Sequence, residues 1–253
     1  MPVPALKTRS IFQQIQPLWQ GESQATQMDL ALLSREAASI KSKDIVQGLV
    51  LEGLLAVLSH NADIAHQKFK GAISASGGSH EVRNNYINAL FSMGEMQRCV
   101  QEAMELHASG LTIDTNMLMG AGAYAKANEI NNSAYHAHSS EDTYHAEKVM
   151  KTQNTPSVQE TLGIGCDRII NAVTRAGKFV WSKGFHLIGG VVGTVDGEIL
   201  HTLLVPQFID DQIIIEMEWE MDNLFVEDAE RIQLHGIFIE LLASVPEKNQ
   251  IVA

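Results

Sequence analysis

The sequence predicts a multi-domain chain in which a helical array is followed by an α+β domain. In the first half, small and apolar residues recur with helical spacing and a period of about 34 residues. After Gly184 the apolar period changes from that of helices to that of strands, and Asp196-Gly197 separates two strand-like segments as in a tight hairpin. We therefore expect antiparallel helix pairs over residues 1–147 and a two-layer α+β domain with a three-stranded antiparallel sheet over residues 156–253.

Two helices are expected before the clear repeats begin, within residues 10–45. Pro17 and Gly21 interrupt the first apolar pattern, which predicts a turn near Gly21. The pair is interpreted as a degenerate first repeat or an N-terminal cap, because terminal repeats are usually atypical. The positions that define the two helices are Ile11, Ile15, Leu18 and Trp19, and then Met28, Leu30, Leu32, Leu33, Ala37 and Ile40.

This period divides the following chain into three expected helix pairs. Gly53 and Ala65 would let two helix backbones approach closely, while Phe69 would fill the space between neighbouring pairs. The pairs are expected at Val46–Ser79, His80–Ile113 and Asp114–Glu147, the last with a polar second helix at Asn131–Ser140. Their matched positions are Gly53, Ala56, Ala65, Phe69 and Ala72; then Ile87, Leu90, Cys99, Ala103 and Leu106; then Ala121, Tyr124, Ser133, Ala137 and Ser140.

This pattern resembles the tetratricopeptide repeat (TPR) over residues 46–147. The resemblance implies a stacked helical surface that holds a protein or a peptide and needs no cofactor. The chain departs from the family at two positions of each repeat, and the departures also fit another helical-pair solenoid. The family's early Trp is replaced by Leu49, Arg83 and Met117, and its late Pro by Gly77, Leu111 and His145.

The C-terminal half is expected to run as helix, three strands and helix. The third strand alternates well, with apolar residues on one face and Ile214 followed by three glutamates on the other. One face of the sheet would therefore be covered by helices, and the other would be acidic. The expected elements are a helix at Val158–Lys178, strands at His186–Val195, Glu198–Val205 and Gln212–Met221, and a helix at Val226–Ser244 that Pro246 ends.

The composition excludes several classes of function. The formal net charge is −12, so nucleic acid and anionic membranes are disfavoured as partners, and the charge serves either a basic protein partner or simply solubility. No long apolar run predicts a membrane span. The two cysteines, Cys99 and Cys166, occur in unrelated contexts and are interpreted as buried, inert thiols. Together these features predict a cytoplasmic protein.

Candidate partner-binding residues come from two regions. In the helical array they are polar side chains on the first helix of a pair, where an asparagine could hold a peptide backbone with both a donor and an acceptor. In the α+β domain they are the acidic row of the expected third strand, since like charges along one strand invite a basic partner. The residues are Asn84, Asn85, Asn88, Asn116 and Lys126, and then Glu216, Glu218 and Glu220.

We expect a binding protein, such as an adaptor, a chaperone or an immunity-type protein, and neither an enzyme nor a cofactor site. The rival function is a metal-dependent hydrolase that uses carboxylates of the third strand or the histidines of residues 136–145. His136 and His138 would point apart on a helix, and the segment lacks the His-Glu-x-x-His spacing of zinc proteases. A third alternative is a structural subunit of a larger assembly, and homo-oligomer formation stays open.

Overall fold

The computed structural model describes residues 4–137, 163–226 and 237–243. No helix within these ranges is long and apolar enough to cross a membrane. The helices are α1 (Pro4–Trp19), α2 (Gln27–Lys41), α3 (Ile45–Leu58), α4 (Ala62–Ala75), α5 (His80–Ser92), α6 (Met96–Ala108), α7 (Thr115–Gly120), α8 (Tyr124–Ala137), α9 (Cys166–Ser182) and α10 (Asp211–Val226); the strands are β1 (Gly189–Val195), β2 (Glu198–Val205) and β3 (Ile237–Ala243). The predicted fold class, a helical array followed by a three-stranded sheet with helices, is confirmed.

The first helix of each pair in the array ends in the same tight turn. Its central residue has a positive φ at Gly21, His60, Gly94 and Gly122. The next N–H donates to the carbonyl five residues earlier, as in a helix C-terminus closed by a left-handed residue. We call these four positions the pair turns. The second helix begins two residues after the last three of them.

The spacing of the pair turns confirms the predicted period for the first two repeats but not for the third. From His60 to Gly94 the interval is one full period, whereas Gly122 follows Gly94 after a shorter interval. The first helix of the third pair, α7, has only 6 residues. The segment from Gly94 to Gly122 is therefore shorter than the segment from His60 to Gly94.

The predicted third pair is consequently wrong in register. Ala121 lies in the pair turn, Tyr124 begins the second helix, and that helix starts well before the predicted Asn131. Ser140 lies outside the described residues. The error has a plain cause: this stretch is rich in alanine, so small residues fill the expected positions in either register.

Two apolar cores hold the helices together. Helices α1 and α2 pack on one side of α3, through Leu51, Leu55 and Leu58. The opposite side of α3 belongs to a larger core that begins at Val50 and continues through α9 to Leu241 of the sheet. The two predicted domains therefore share apolar contacts.

Helix α9 runs along the pair turns in reverse order. Ile169 and Val173 lie against Gly122, Gly177 against Gly94, and the ring of Trp181 lies 4.6 Å from that of His60. These contact residues are spaced by four, so they form one stripe on the helix. Beyond α9, Ile188 and Pro206 lie against Gly21, and so the C-terminal half spans the array from its last pair to its first.

The same half supplies donors to carbonyls that the array leaves without helical partners. The last carbonyls of a helix have no intrahelical donor and must find one elsewhere. His186 Nε2–H donates to the Trp19 carbonyl (3.1 Å), the Leu187 N–H to Ser92 (2.9 Å), and His201 Nε2–H to Gly120 (2.9 Å). Each accepting residue lies two positions before a pair turn.

The sheet has the order β1-β2-β3 and is mixed rather than antiparallel as predicted. β1 and β2 form the antiparallel hairpin expected at Asp196-Gly197, and β2 pairs with β3 in parallel. A parallel pair needs a crossover connection, which is usually a helix. Here α10 lies in that connection, so β2, α10 and β3 form a β-α-β unit.

Two predicted elements of this unit are therefore wrong. The predicted strand Gln212–Met221 lies in α10. Residues Ile237–Ala243, which belonged to the predicted helix Val226–Ser244, form a strand. Residues 227–236 and Ser244 of that predicted helix are outside the described ranges. The alternation was misleading because exposed apolar residues complete it, whereas the side chains that α10 buries follow helical spacing. These are Ile214, Met217, Met221 and Phe225.

The first elements of the C-terminal half were placed closely. β2 begins and ends as predicted, and β1 begins three residues later than expected. The preceding helix was predicted at Val158–Lys178, whereas α9 begins at Cys166. Residues 158–162 of the predicted helix lie outside the described ranges. β2 has one fully buried face, made by Ile199, His201, Leu203 and Val205.

Candidate partner-binding groove

A groove of about 510 Å³ lies between α6, the start of α8 and the start of α9. Its floor is apolar, with Val100, Met104 and Ile170 below polar side chains. Its lining residues are Gln97, Val100, Gln101, Met104, Glu105, Ala108, Lys126, Asp167 and Ile170. We call this feature the α6 groove.

The apolar floor is specific to the second helix pair. Val100, Met104 and Ala108 follow one another along α6 at intervals of four and therefore share a face. The residues one period earlier, on α4, are His66, Lys70 and Ser74, all polar. Lys70 and Ser74 are exposed and His66 is bonded to Glu95, so α4 offers no apolar face to a ligand, whereas α6 does.

Charged groups of both signs border the groove. Glu105 is already engaged, because it lies 3.3 Å from Arg83 Nη2 and accepts a hydrogen bond from Gln101 (3.1 Å). Lys126 and Asp167 stand at the first turns of α8 and α9. No ion pair joins either of them to another described residue, and both side chains line the groove.

A buried hydrogen-bond chain fixes the start of α8, two residues before Lys126. The Tyr124 hydroxyl donates to His201 Nδ1 (2.5 Å), and His201 Nε2–H donates to the Gly120 carbonyl (2.9 Å). Burial lowers the pKa of His201 to about 4, against the opposing effect of the Gly120 bond, and raises that of Tyr124. Both groups are therefore neutral and hold α8 to β2; the sequence carries no local signal for this pairing.

A second polar network joins the first two helix pairs away from the groove. His66 Nε2 lies 2.9 Å from Glu95 Oε1, and Arg98 Nη1 lies 2.7 Å from Glu95 Oε2. Burial alone would raise the pKa of Glu95, but the bond from His66 and the charge of Arg98 outweigh it and hold that pKa below its usual value. Arg98 also donates to the Tyr86 hydroxyl (2.7 Å). Because its members satisfy one another, this network is structural.

The structure separates the five candidate residues of the helical array. Lys126 lines the α6 groove, whereas the four asparagines do not. Asn84 is held against His80 (3.0 Å), and Asn85 donates to the Glu81 carbonyl (3.0 Å). Asn88 and Asn116 are exposed. Each lies six residues before a pair turn, Gly94 and Gly122, so they occupy matched positions on α5 and α7.

The acidic residues form no strand row, because Glu216, Glu218 and Glu220 lie on α10, where Glu216 and Glu220 share one face and Glu218 lies on another. Glu216 accepts a hydrogen bond from Gln212 (3.0 Å), and Glu218 accepts one from the Leu241 N–H of β3 (2.9 Å). Glu220 pairs with Lys183. The prediction of an acidic sheet face is therefore wrong.

The signal that was missed is Asp210, which precedes the alternating run. Its side chain accepts the Gln212 N–H (2.8 Å) and its carbonyl accepts the Ile213 and Ile214 N–H groups, as an N-terminal helix cap does. Asp followed by a further acidic residue is a helix-start pattern. This pattern favours a helix over a strand at residues 211–226.

The histidines of the rival hydrolase hypothesis lie at the edge of the described part of the chain. His138 and His145 lie outside the described residues, as does the side chain of His136. Within the described ranges, no three His, Cys, Asp or Glu residues are grouped to hold a metal ion. Cys99 is fully buried, and burial raises the pKa of its thiol and of the half-buried Cys166 thiol, so both stay protonated.

Comparison with known proteins finds no family model that matches the chain, and no curated protein or solved structure matches it significantly.

Proposed function

We propose that this protein is a TPR-like, protein-binding adaptor that holds a protein or peptide segment in the α6 groove. The observation that carries the proposal is the apolar floor formed by Val100, Met104 and Ile170 under a polar rim. Apolar floors with a few directing polar groups are typical of ligand sites. The protein is assigned no reaction and no cofactor.

The rim indicates the chemistry of the bound segment. Asp167 favours a basic residue of the ligand, and Lys126 favours an acidic residue or a chain-terminal carboxylate. The net charge of −12 adds a general attraction for a basic partner. We therefore propose an amphipathic segment from a basic protein. An adaptor, a chaperone or an immunity protein would each use the groove in this way, and we place it in the cytoplasm.

The matched faces of α4 and α6 provide the test. Random 15-residue peptides displayed on phage are selected against the full-length protein, and binders are measured by fluorescence anisotropy. Met104→Glu should weaken them at least about tenfold, because it places a charge on the apolar floor; a factor of ten corresponds to about 1.4 kcal/mol. Lys70→Glu, at the equivalent exposed position of α4, should have no effect.

The charge on the rim is tested separately. Lys126→Glu should shift the selected sequences away from acidic residues and weaken acidic binders more than neutral ones, since it reverses the only basic group lining the groove in the described part of the chain. Peptides that bind wild type, Met104→Glu and Lys126→Glu equally would place the binding surface elsewhere and reject the groove.

A further inference from the structure

The outer face of the sheet, opposite the buried face of β2, is an ordered grid of small and apolar side chains. The pairing registers place three residues in each of three rows. The rows are Gly193, Leu200 and Phe238; Val191, Thr202 and Glu240; and Gly189, Leu204 and Leu242. We call this surface the outer sheet face.

The outer sheet face is unusually apolar for a surface open to solvent. Val191 is 55% exposed, Phe238 54% and Leu242 52%, and they come from two strands that are not neighbours. Exposed apolar side chains that form a contiguous patch mark interaction sites more often than scattered ones. Between them, Leu200 and Leu204 are half-buried.

Glu240 is the charge at the centre of this apolar surface, and a second carboxylate, Glu198 opposite Val195, lies on the same side of the sheet at its hairpin end. Glu240 occupies the middle row, between Phe238 and Leu242 along β3. One carboxylate oxygen accepts a hydrogen bond from the Thr202 hydroxyl (2.7 Å), which fixes the side chain over the sheet. A ligand that covers the face must supply a basic group that pairs with this carboxylate, because burying an unpaired carboxylate is strongly unfavourable.

The dimensions of the face suit one helix. Neighbouring strands lie about 4.8 Å apart, so three strands are about 10 Å across, which is the diameter of an α-helix. Strands of seven residues are about 23 Å long, a length that a helix of about 15 residues spans. Gly189 and Gly193 leave the β1 side low, so a helix can lie close to the sheet there.

We propose that the outer sheet face binds an amphipathic helix of another protein whose apolar stripe contains one central lysine or arginine. The apolar side chains of the grid pack against the stripe, and the basic group pairs with Glu240. A second copy of this chain is disfavoured as the occupant, because two-fold pairing of the faces brings like charges towards each other. The surface is distinct from the α6 groove and does not depend on it.

The probe is a yeast-displayed library of 18-residue helix-forming peptides with a leucine stripe and one varied central position. Against the full-length protein, lysine and arginine should be enriched at that position. Glu240→Lys should reverse the preference to glutamate and aspartate. Val191→Glu and Phe238→Glu should each weaken the selected helices more than tenfold, while Ile45→Glu, equally exposed on α3, should leave them unchanged; circular dichroism verifies the fold of each variant.

Other outcomes overturn the proposal. Selected helices with no charge preference, or ones that bind Phe238→Glu as tightly as wild type, do not use this face. A dimer in sedimentation that Phe238→Glu dissociates would assign the face to a second copy. If Val191→Cys resists maleimide while Ile45→Cys reacts, the face is already covered by the chain itself. Met104→Glu should not affect these helices, so failure here and failure of the groove are separable.

Discussion

The pair turns at His60 and Gly94 have the same backbone but different residues. Both have a positive φ, 53° at His60 and 71° at Gly94, and both close with the same hydrogen-bond pattern. At Gly94, a Cβ would lie 2.3 Å from the carbonyl carbon of Gly177. At His60, the side chain packs against Trp181 instead, with the two rings tilted at 49°. The residue at each turn is therefore selected by what α9 places beside it, and not by the turn alone.

The largest effect is expected for Gly94→Ala. The new methyl group would meet the backbone of α9, which cannot rotate away, and alanine at a positive φ is itself unfavourable by about 1–2 kcal/mol. With about 1–3 kcal/mol for the overlap, we expect a total loss of about 2–5 kcal/mol in urea unfolding. Gly77→Ala is the control: its φ is +65° and nothing lies within 4 Å of the added Cβ, so only about 1 kcal/mol should be lost. Equal losses would show that α9 does not restrict the Gly94 turn.

An intermediate effect is expected from the histidine at the first pair turn. Burial, which outweighs the bond to the Trp19 carbonyl, lowers the pKa of His186 to about 4. The unfolded chain takes up this proton near pH 6.5, so the stabilisation is complete above pH 6.5 and is lost as the pH falls towards 4. Between these values, wild type should lose about 3 kcal/mol more of its unfolding free energy than His186→Gln. Parallel pH profiles would contradict the burial of a neutral imidazole.

The smallest effect concerns His60 itself. His60→Gly removes the ring contact with Trp181 but relieves the positive φ, so we expect a net loss below about 1 kcal/mol. His60→Ala removes the ring contact and keeps the unfavourable φ, and should be less stable than His60→Gly by about 1 kcal/mol. Thermal unfolding followed by tryptophan fluorescence measures both. A loss well above about 1 kcal/mol in His60→Gly, with His60→Ala no less stable than it, would show that the ring rather than the backbone dominates at this turn.

The sequence predicted well what depends on neighbouring residues. The repeat period located α3 to α6, because each turn and each buried stripe has local signals such as Gly94 and Phe69. The predicted register is wrong in the third pair, because α7 is short and the turn at Gly122 comes before a full period has passed. Helix α10 was mistaken for a strand because Ile215 and Trp219 are apolar and exposed, which completes an alternation that burial does not follow.

The candidate site was only partly predictable for a different reason. Lys126 was selected as a polar residue of the array, and it does line the groove. The groove itself needs Asp167 and Ile170 of α9, far along the chain, and no local pattern connects them to Met104. The buried pair Tyr124 and His201 was missed for the same reason, since its partners are 77 residues apart.

The course of α9 along the pair turns also bears on how the chain folds as it is made. Simple repeat arrays can form one pair at a time, because each pair touches only its neighbours. Here Gly21 finds its contact at Pro206, near the far end of the chain. During synthesis the array emerges long before residues 166–206 do, with its turns and their carbonyls uncovered. Final closure must then wait for long-range contacts, which form slowly, and the nascent array spends that interval with an open apolar edge.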